Sequence, residues 1–452
     1  MPIVYTPRYE DSIISAFIES EEIHKDVLLL EGARQVGKTM LVEHALEHAA
    51  PTGHSVNLER DSLLRSRIDE AQEFRGFTQL LHDRLGFDPE AGHILFIDEA
   101  QESLTLGRHV RFMKEEWPHA TVIITGSTLS RLFREESRYP VGRVRRLVLG
   151  PFTFSEFLRA SGSDHLADAI AEGPSAGISP QRHERLLELY DAYLDCGGLP
   201  RVVADWAAAA DWQETVRRII ADYEQDFIRI LGPDSIGIVK ACLRGIANRV
   251  GSPSTNTSVM PSPTTRQNER INEVFARLEA WHLVLKAEQA GADPAASQRY
   301  LPKRYLFDTG VLRRIRVSGV PGIRVLGTLD AAARTPLGGV LENQVAIELQ
   351  RHHGQSGGWR RSSAGLEIDF VVKDRDAAIP VECKAALEVD GRHVRGISDY
   401  LSACEQPVGV VVGFAPFRVV GSGTGSRIFI VPAYLLDSLR GGWRAALGSW
   451  TS

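Results

Sequence analysis

Short, continuous apolar runs recur along the first 160 residues, and stretches long enough for a helix separate most of them. Strands buried on both faces read as continuous apolar runs, and alternation with helices is typical of a parallel sheet covered on both sides. The pattern therefore predicts an α/β domain over residues 1–160. The expected strands are Val27–Leu30, Ser55–Leu58, Ile94–Ile97, Val122–Ile124 and Leu147–Leu149.

A different spacing follows, in which apolar positions recur at three- and four-residue steps. This is the period of amphipathic helices. We divide the stretch into a helical lid or linker at residues 161–235 and a second, largely helical region at residues 236–296. The expected helices are Arg182–Leu194, Trp212–Ile230, Ile236–Val250 and Arg266–Leu285, with a linker or frayed helix at Ser161–Ile178 and a loop at Ser252–Thr265.

Residues 297–452 return to strand-like patterns and predict a smaller α/β domain. Gly365–Val372 and Ile379–Ala385 alternate apolar and polar positions, which indicates a hairpin with its turn at residues 373–378. Val408–Val412 and Ile428–Pro432 are apolar and would complete a small sheet, and Leu341–Leu349 resembles a helix.

The composition of the chain excludes several classes of function. The net charge of −6 over 452 residues excludes a global basic field of the kind that attracts nucleic acid. No apolar run approaches the length of a membrane span, and no secretory pattern opens the sequence. Four cysteines lie far apart, at Cys196, Cys242, Cys383 and Cys404, and fit reduced structural thiols. We therefore expect a soluble, cytoplasmic protein without a membrane partner.

One local exception to the acidic balance lies between Arg299 and Arg316, where Asp308 is the only acid. Such a cluster favours a surface for nucleic-acid phosphates, and a solvated basic helix is an equal alternative. The basic residues are Arg299, Lys303, Arg304, Arg313, Arg314 and Arg316.

The strongest chemical signal is a glycine-rich loop after the first predicted strand. Gly32, Gly37, Lys38 and Thr39 match G-x-x-x-x-G-K-[ST] in a strand–loop–helix setting. Glycines let successive backbone N–H groups point at phosphate oxygens, and the helix that follows adds its positive end. Lys38 suits the β- and γ-phosphates of ATP, and the Thr39 hydroxyl suits Mg²⁺. A chance glycine turn is the alternative. The expected nucleotide-binding residues are Gly32, Ala33, Arg34, Gln35, Val36, Gly37, Lys38, Thr39 and Met40.

Two acids follow the third predicted strand. Asp98 and Glu99 stand directly after four apolar residues. In a phosphate-loop ATPase this is where a carboxylate supports Mg²⁺ and a second carboxylate orients the attacking water. We assign the first role to Asp98 and the second to Glu99. An apolar run that ends in acids is weak evidence alone and gains its meaning from the loop at Gly32–Thr39.

Two further polar residues are candidates for catalysis. Ser127 follows the fourth predicted strand, where its hydroxyl would lie near the γ-phosphate, although Ser is also common as a helix N-cap. Arg143 could stabilise transition-state charge in its own or a neighbouring subunit. A solvated basic loop is the alternative for Arg143.

These motifs, with Pro151–Phe157, resemble the AAA-type ATPase domain of a large prokaryotic family that carries a carboxy-terminal domain of unknown function. The resemblance implies ATP hydrolysis by Lys38, Thr39, Asp98 and Glu99, a polar sensor near Ser127 and an arginine finger at Arg143, which makes a homo-oligomer plausible. It also implies a winged-helix-like region at residues 236–296. No second-sensor arginine is evident.

Two short elements of the same family also occur here. Cys196–Pro200 contains Gly-Gly-Leu-Pro, which we interpret as a helix stop. Asp308-Thr-Gly310 is interpreted as a capping turn, because a single copy of this triplet does not make an aspartic protease.

The predicted hairpin near the carboxy terminus carries the second candidate site. A symmetric turn about Arg375 and Asp376 would place Asp369 opposite Glu382 and Glu367 opposite Lys384. Directly opposed side chains lie about 5 Å apart at Cβ, so two facing carboxylates repel unless a cation joins them. Carboxylate oxygens suit Mg²⁺ or Mn²⁺. An exposed sheet face with charge pairs is the alternative.

This Asp…Glu-x-Lys pattern resembles the restriction-endonuclease-like fold, the PD-(D/E)XK superfamily. The resemblance implies that Glu342, Asp369 and Glu382 bind a metal ion and that Lys384 assists hydrolysis. Ile368 stands where the superfamily often has Pro.

Three functions compete at this point. The first is an ATP-hydrolysing AAA-type protein coupled to a metal-dependent domain that acts on DNA. The second is an ATP-driven switch whose nuclease-like domain only binds a protein or nucleic-acid partner. The third is a small-molecule kinase, which Glu99 beside Asp98 disfavours because this pair suits a water nucleophile.

Overall fold

The computed structural model describes residues 5–48, 52–129, 132–133, 140–260, 264–291, 300–354, 357–360, 365–374, 377–421 and 425–450. Arg299, Arg375, Asp376 and residues 261–263, which entered the predictions, lie outside these ranges. The chain forms two compact units, Met1–Gly150 and Pro151–Ser452. Within the described ranges, no helix is long and apolar enough to cross a membrane.

The first unit is an α/β domain built on one parallel sheet. The strand order is β2-β3-β4-β1-β5. Its strands are β1 Val27–Glu31, β2 Gly53–Asn57, β3 Ile94–Asp98, β4 Thr121–Thr125 and β5 Val144–Val148; its helices are α1 Tyr9–Glu19, α2 Lys38–His48, α3 Ser62–Glu70, α4 Phe74–Leu85 and α5 Leu106–Glu116. The predicted parallel sheet with intervening helices is confirmed.

Strand burial explains which boundaries the sequence predicted well. Every residue of β1, β3 and β4 is buried, so these strands read as continuous apolar runs. Strand β5 lies at the sheet edge and exposes Arg145, Arg146 and Val148. Only the last part of β5 is therefore recognisable as an apolar run in the sequence. The strand begins at Val144, three residues before the predicted Leu147.

The second unit begins with helices. They are α6 Phe154–Ala160, α7 Asp164–Ala171, α8 Pro180–Cys196, α9 Pro200–Ala207, α10 Trp212–Leu231, α11 Ile236–Asn248 and α12 Thr265–Ala280. Helix α12 ends earlier than predicted, because His282 adopts a left-handed conformation (φ 57°) and strand β6 begins at Val284. The stretch interpreted as a linker or frayed helix contains α7.

Two sheets follow in the same unit. Their strands are β6 Val284–Gly291, β7 Lys303–Leu306, β8 Gly357–Arg360, β9 Glu367–Ile368, β10 Phe370–Asp374, β11 Ala377–Lys384, β12 Val408–Gly413, β13 Arg418–Gly421 and β14 Arg427–Pro432; the helices are α13 Thr309–Ile315, α14 Ala331–His353, α15 Gly391–Ala403 and α16 Trp443–Ser449. One sheet has the order β7-β6-β8-β9 and the other β10-β11-β12-β14-β13. The predicted carboxy-terminal α/β fold is confirmed, and its restriction-endonuclease-like character remains a prediction.

The predicted hairpin is only partly correct, because the chain changes sheets at Asp369. Phe370 pairs with Val381, and this register continued by one residue brings Asp369 opposite Glu382, as expected. Glu367 instead pairs with Arg360 in the other sheet, so its predicted place opposite Lys384 is wrong. The apolar alternation holds, since Ile368, Phe370 and Val372 are all buried.

Candidate nucleotide site and carboxylate–lysine cluster

The glycine-rich loop connects the carboxyl end of β1 with the start of α2. Gly32 has φ +142°, and a Cβ at this position would lie 2.2 Å from the Leu149 carbonyl oxygen. Gly37 has φ +98°. Both values are rare for residues with a side chain, so these two positions require glycine. The loop thus carries its glycines where the backbone curls most strongly.

Lys38 lies inside this loop. Its side chain is 6% exposed, and Nζ donates to the carbonyl oxygens of Gly32 at 3.0 Å and Ala33 at 2.8 Å. Burial lowers the pKa of Lys38 to about 8, although Glu99 and Asp98 oppose the shift. The amine is therefore placed to exchange these carbonyl oxygens for phosphate oxygens.

The remaining predicted loop residues surround this lysine. Val36 is buried, and its carbonyl oxygen accepts a hydrogen bond from Arg8 Nη1 at 3.1 Å. Gln35 is exposed with φ 63°, Met40 is 36% exposed, and Arg34 is half-buried. Arg8 anchors the loop from beneath and was not identified from the sequence, because one basic residue before a helix carries no distinctive pattern.

Asp98 lies at the end of β3 and joins three neighbouring segments. Its Oδ2 accepts hydrogen bonds from Thr39 Oγ1 at 2.9 Å and Asn57 Nδ2 at 2.8 Å. Its Oδ1 accepts from Thr125 Oγ1 and from the Glu99 amide. Asn57 ends β2 and Thr125 ends β4, so parallel strand ends deliver both partners. A hydroxyl and a carboxylate at this distance are oxygen ligands of the type that Mg²⁺ takes, so the residues fit this ion.

Glu99 follows Asp98 in a left-handed conformation with φ 51°, which is uncommon for a residue with a side chain. Its Oε2 accepts a hydrogen bond from Gln101 Nε2. Burial raises the pKa of Glu99, while this hydrogen bond acts in the opposite direction. The backbone turn and the Gln101 amide together hold the carboxylate beside Asp98 and Lys38.

Gln101 was not predicted from the sequence. It packs closely against Gly126, where a Cβ would lie 2.2 Å from Gln101 Oε1, so a larger residue at this position would displace the amide. Ser127, the next residue, is buried after the end of β4. It therefore lies at the same edge of the sheet as Asp98 and the loop.

Arg143 lies on the other side of the sheet from the glycine-rich loop, where the strands begin. Val27 and Val144 are paired at the start of the parallel strands β1 and β5, and Arg143 precedes that start. The loop follows the other end of β1, about 13 Å away along a strand of this length. Arg143 Nε forms an ion pair with Glu115 Oε1 at 2.6 Å. Arg143 therefore does not reach the glycine-rich loop that follows β1.

The second candidate site centres on Lys303, which the sequence analysis placed in the basic segment between Arg299 and Arg316. Lys303 is 1% exposed, and its Nζ lies 2.9 Å from Glu342 Oε1, 2.9 Å from Glu367 Oε1 and 3.0 Å from Asp369 Oδ1. Burial lowers its pKa, but attraction by these carboxylates outweighs burial and the net pKa is raised. Lys303 is therefore a charged, buried centre of what we call the carboxylate–lysine cluster: Lys303, Glu342, Glu367, Asp369, Glu382 and Lys384.

The other members complete a hydrogen-bonded network. Lys384 Nζ lies 2.5 Å from Glu382 Oε1, and the Cys383 amide donates to Asp369 Oδ2 at 3.0 Å. Tyr305 donates to Glu342 Oε1 at 2.7 Å. Burial raises the pKa of Glu342 to about 8 and that of Glu382 to about 7, with repulsion by Asp369 adding to both.

The predicted metal ligands do not form a preassembled three-ligand group. Among the described residues, the potential ligand atoms of Glu348, His352 and Asp437 alone form such a group, all within 4.8 Å of one another. Glu342, Asp369 and Glu382 lie outside that group. As the side chains stand, Lys303 contacts Glu342 and Asp369 and Lys384 contacts Glu382, so each predicted ligand is already paired with an amine and does not fit a metal ion in this arrangement.

The group at Glu348 is itself poorly suited to a metal ion. Trp443 Nε1 donates to His352 Nδ1 at 3.4 Å, which leaves the proton of the neutral ring on Nε2, the nitrogen that faces Glu348. Arg351 already neutralises the Glu348 carboxylate at 3.4 Å.

The predicted basic surface between Arg299 and Arg316 is wrong as a continuous surface. Lys303 and Arg304 are buried and lie against acids or amides of their own unit. Arg313 Nε forms an ion pair with Asp195 Oδ1 at 3.0 Å. A run of basic residues in sequence resembles a solvated surface because the acids that neutralise it lie far away along the chain.

The two short family elements meet in space. Asp308 caps α13 by accepting from the Val311 amide at 2.9 Å, which confirms the capping turn. The same carboxylate accepts from the Gly198 amide at 2.8 Å. Gly197 ends α8, which confirms the helix stop, and a Cβ there would lie 2.3 Å from Asp308 Oδ1. The two elements are therefore in direct contact: Asp308 accepts a hydrogen bond from the Gly198 amide and leaves no room for a side chain at Gly197.

Sequence comparison agrees with the architecture of the first unit. Residues 24–158 match an AAA domain family. This part of the first unit is therefore similar to AAA domains, and we call the unit the AAA domain. Residues 187–321 and 337–432 match two domains of unknown function, DUF8612 and DUF4143. No curated protein is similar enough to this sequence to count as a match.

Solved structures similar to this chain include three of distant sequence. The ORC1 protein of Aeropyrum pernix in complex with DNA is 13% identical, with 70% of this chain and 93% of that chain covered and a TM-score of 0.26. Cdc6p of Pyrobaculum aerophilum is 15% identical, with 70% and 95% covered and a TM-score of 0.27. RuvB of Thermotoga maritima is 15% identical, with 62% and 87% covered and a TM-score of 0.29. These low scores support no argument about the function of this chain.

Proposed function

We propose that the AAA domain binds ATP with Mg²⁺ and hydrolyses it to ADP and phosphate. The observation that carries this proposal is the 2.9 Å hydrogen bond between Thr39 Oγ1 and Asp98 Oδ2, next to the buried amine of Lys38. Phosphate transfer needs positioning and compensation of charge, and these residues supply both. Mg²⁺, when bound by Thr39 and Asp98, would neutralise phosphate charge.

The residues that carry out the remaining steps lie at the same carboxyl ends of the strands. Backbone N–H groups between Gly32 and Thr39 hold the phosphates, and Lys38 turns from the loop carbonyl oxygens towards them. Glu99 accepts a hydrogen bond from the attacking water and orients it, while Gln101 positions Glu99. Ser127 is close enough to the strand ends to sense the γ-phosphate. Glu99 beside Asp98 favours water over a substrate hydroxyl, which argues against a kinase.

Arg143 adds a requirement for assembly to this proposal. Because Arg143 lies at the amino edge of the sheet, it can stabilise a transition state only at the nucleotide of a neighbouring subunit. A homo-oligomer that brings this edge against a partner's loop is therefore part of the proposal. An equimolar mixture of Arg143→Ala and Lys38→Ala chains, each inactive alone, would then regain part of the hydrolysis.

For the second unit, metal-dependent hydrolysis of DNA by Asp369, Glu382 and Lys384, with Mg²⁺ or Mn²⁺ and with Glu342 as a further ligand, requires Lys303 and Lys384 to leave the carboxylates first. The alternative is an ATP-driven switch in which this unit binds a protein or nucleic-acid partner without cleaving it. One observation favours the alternative: the single amine of Lys303 already lies within 3.0 Å of carboxylate oxygens of Glu342, Glu367 and Asp369, where a metal ion would have to bind. We derive no hydrolytic step at this cluster.

A paired assay tests both halves. ATP hydrolysis is measured in wild-type, Lys38→Ala and Asp369→Ala proteins, and nicking of supercoiled DNA with Mn²⁺ is measured in the same three. The AAA assignment expects loss of hydrolysis in Lys38→Ala alone. Nicking by wild type that disappears in Asp369→Ala supports a nuclease, and equal, inert behaviour of both supports the switch.

A further inference from the structure

A cleft in the second unit concentrates positive charge away from both sites described above. It has a volume of about 410 Å³ and lies where α10, α11 and α13 pack together. Its walls carry Arg217, Lys240, Arg244 and Arg314, with Glu224 as the only acid and three aliphatic side chains between them. The charge of the lining is therefore strongly positive in a chain whose net charge is −6.

The ion pairs of the cleft leave part of this charge uncompensated. Lys240 Nζ lies 3.0 Å from Glu224 Oε2, so these two charges cancel. Arg217 Nε lies 2.8 Å from Glu214, which does not line the cleft. For Arg244, which is exposed, no acidic partner within 4.0 Å occurs in the part of the chain that the structure describes. The cleft thus presents more guanidinium groups than carboxylates.

Arg314 is the most distinctive residue of the cleft. Its guanidinium carbon lies 4.8 Å from the centre of the Trp212 ring, within the range of a cation–π contact. The nearest acid, Asp195, lies 3.9 Å from Nη2, beyond hydrogen-bond distance. Both Nε and Nη2 are shielded from solvent and have no hydrogen-bond acceptor among the described residues. Arg314 therefore adds its positive charge to the wall of the cleft, while its shielded Nε and Nη2 offer no open donor to a ligand.

We propose that this cleft binds the phosphate backbone of a nucleic-acid strand. Several guanidinium groups on three helices can contact successive phosphates, and the aliphatic side chains between them suit the sugars. The proposal rests on the proposed function only in taking DNA as the polyanion, and Arg314 is the one basic residue among the described residues of the predicted segment that lines the cleft.

The test compares two pairs of arginines on the full-length chain. Arg217→Ala with Arg244→Ala removes two exposed cations of the cleft. Arg218→Ala with Arg229→Ala removes two exposed arginines of α10 that do not line it, so the net charge changes equally. All four side chains are exposed, and circular dichroism verifies that both variants fold.

The readout is the anisotropy of a labelled DNA strand, titrated with protein over a range of salt concentrations and without nucleotide. Each phosphate contact contributes about one unit to the slope of log K against log salt. We expect the cleft pair to lower that slope by about 2 and to weaken binding, while the control pair retains the wild-type slope.

Two results would overturn the proposal: equal effects of the two pairs, or no binding of DNA by wild type. A competition arm with inorganic phosphate distinguishes the sources of the anion, and a cleft that binds phosphate but not DNA also overturns it. Because no nucleotide is present, failure of ATP hydrolysis would refute the proposed function of the AAA domain and leave this result unaffected.

Discussion

The Thr39 hydroxyl donates a 2.9 Å hydrogen bond to the Asp98 carboxylate, although the residues are 59 positions apart. Thr39 lies in the first turn of α2, and Asp98 is the last residue of β3. Parallel strands bring their carboxyl ends to the same side of the sheet. The glycine-rich loop and the acidic end of β3 therefore meet there, although nothing in the sequence between them predicts the contact. Asn57 and Thr125 hold the same carboxylate from the neighbouring strands, which fixes its orientation.

Glu99→Gln should separate binding of ATP from its hydrolysis. The amide keeps the size of the side chain but cannot accept the proton or polarise water, so we expect hydrolysis to fall by roughly 10²–10⁴-fold. Affinity for ATP should stay near that of wild type. Glu102→Gln, three residues later, is the matched control and should retain the wild-type rate. Full activity of Glu99→Gln would exclude the water-orienting role.

Binding of ATP should take up protons near pH 8. Burial lowers the pKa of Lys38 to about 8, so the amine is about half neutral at that pH. Phosphate oxygens favour the charged form and raise the pKa, so we expect an uptake of up to about half a proton at pH 8. The uptake should fade as the pH is lowered towards 6, because the free amine is already protonated there. Calorimetric titration in two buffers of different ionisation enthalpy measures it, and binding without proton uptake at pH 8 would contradict the account.

The sequence predicted the AAA domain well for a physical reason. Fully buried strands read as continuous apolar runs, and the glycines at positions 32 and 37 follow from backbone angles that other residues avoid. Asn57 and Gln101 were not predicted, because a single amide after a strand looks like any turn residue. Arg143 was identified as a candidate. Its position at the amino ends of the strands follows from the pairing of β5 with β1, which the sequence does not reveal.

The second unit was harder to predict because its key contacts join distant segments. Lys303 reaches Glu342 and Asp369, which lie 39 and 66 positions later. In the sequence, that lysine belongs to a basic run that resembles a surface. The hairpin alternation was visible, but the change of sheet at Asp369 was not, because apolar and polar positions alternate through the break without interruption.

Lys303→Met should destabilise the second unit strongly. Methionine keeps the length of the side chain but leaves three carboxylates without their shared cation, so we expect the free energy of unfolding to fall by roughly 3–5 kcal/mol. Lys286→Met is the control, because Lys286 is 38% exposed and pairs with Glu288 on the surface. Its effect should stay within about 0.5 kcal/mol.

Chemical denaturation of the two lysine variants gives both values. Equal midpoints would show that Lys303 does not hold the cluster together. Mn²⁺ that restores the stability of Lys303→Met, but leaves Lys286→Met unchanged, would show that the same carboxylates can bind a metal ion once the lysine is removed.

Gly197→Ala should reveal the contact between the two short family elements. Gly197 has φ +79°, and a Cβ would lie 2.3 Å from Asp308 Oδ1. Gly162 has a similar φ of +74° with nothing within 4 Å of its Cβ position. Gly162→Ala should therefore cost only the left-handed strain, about 1–2 kcal/mol. Gly197 also has ψ −170°, a conformation that essentially only glycine adopts, so this backbone strain and overpacking against Asp308 should together add roughly 1–3 kcal/mol. Equal losses in thermal or chemical unfolding would contradict the close approach.

The most direct test of the central claim is the rate of phosphate release from ATP with Mg²⁺ by wild-type and Lys38→Ala proteins. Lys114→Ala is the control, since Lys114 pairs with Asp26 on the surface of the same unit. The account predicts that wild type and Lys114→Ala hydrolyse ATP alike and that Lys38→Ala loses about 100-fold or more. A wild-type rate in Lys38→Ala, or no hydrolysis by wild type, would contradict it.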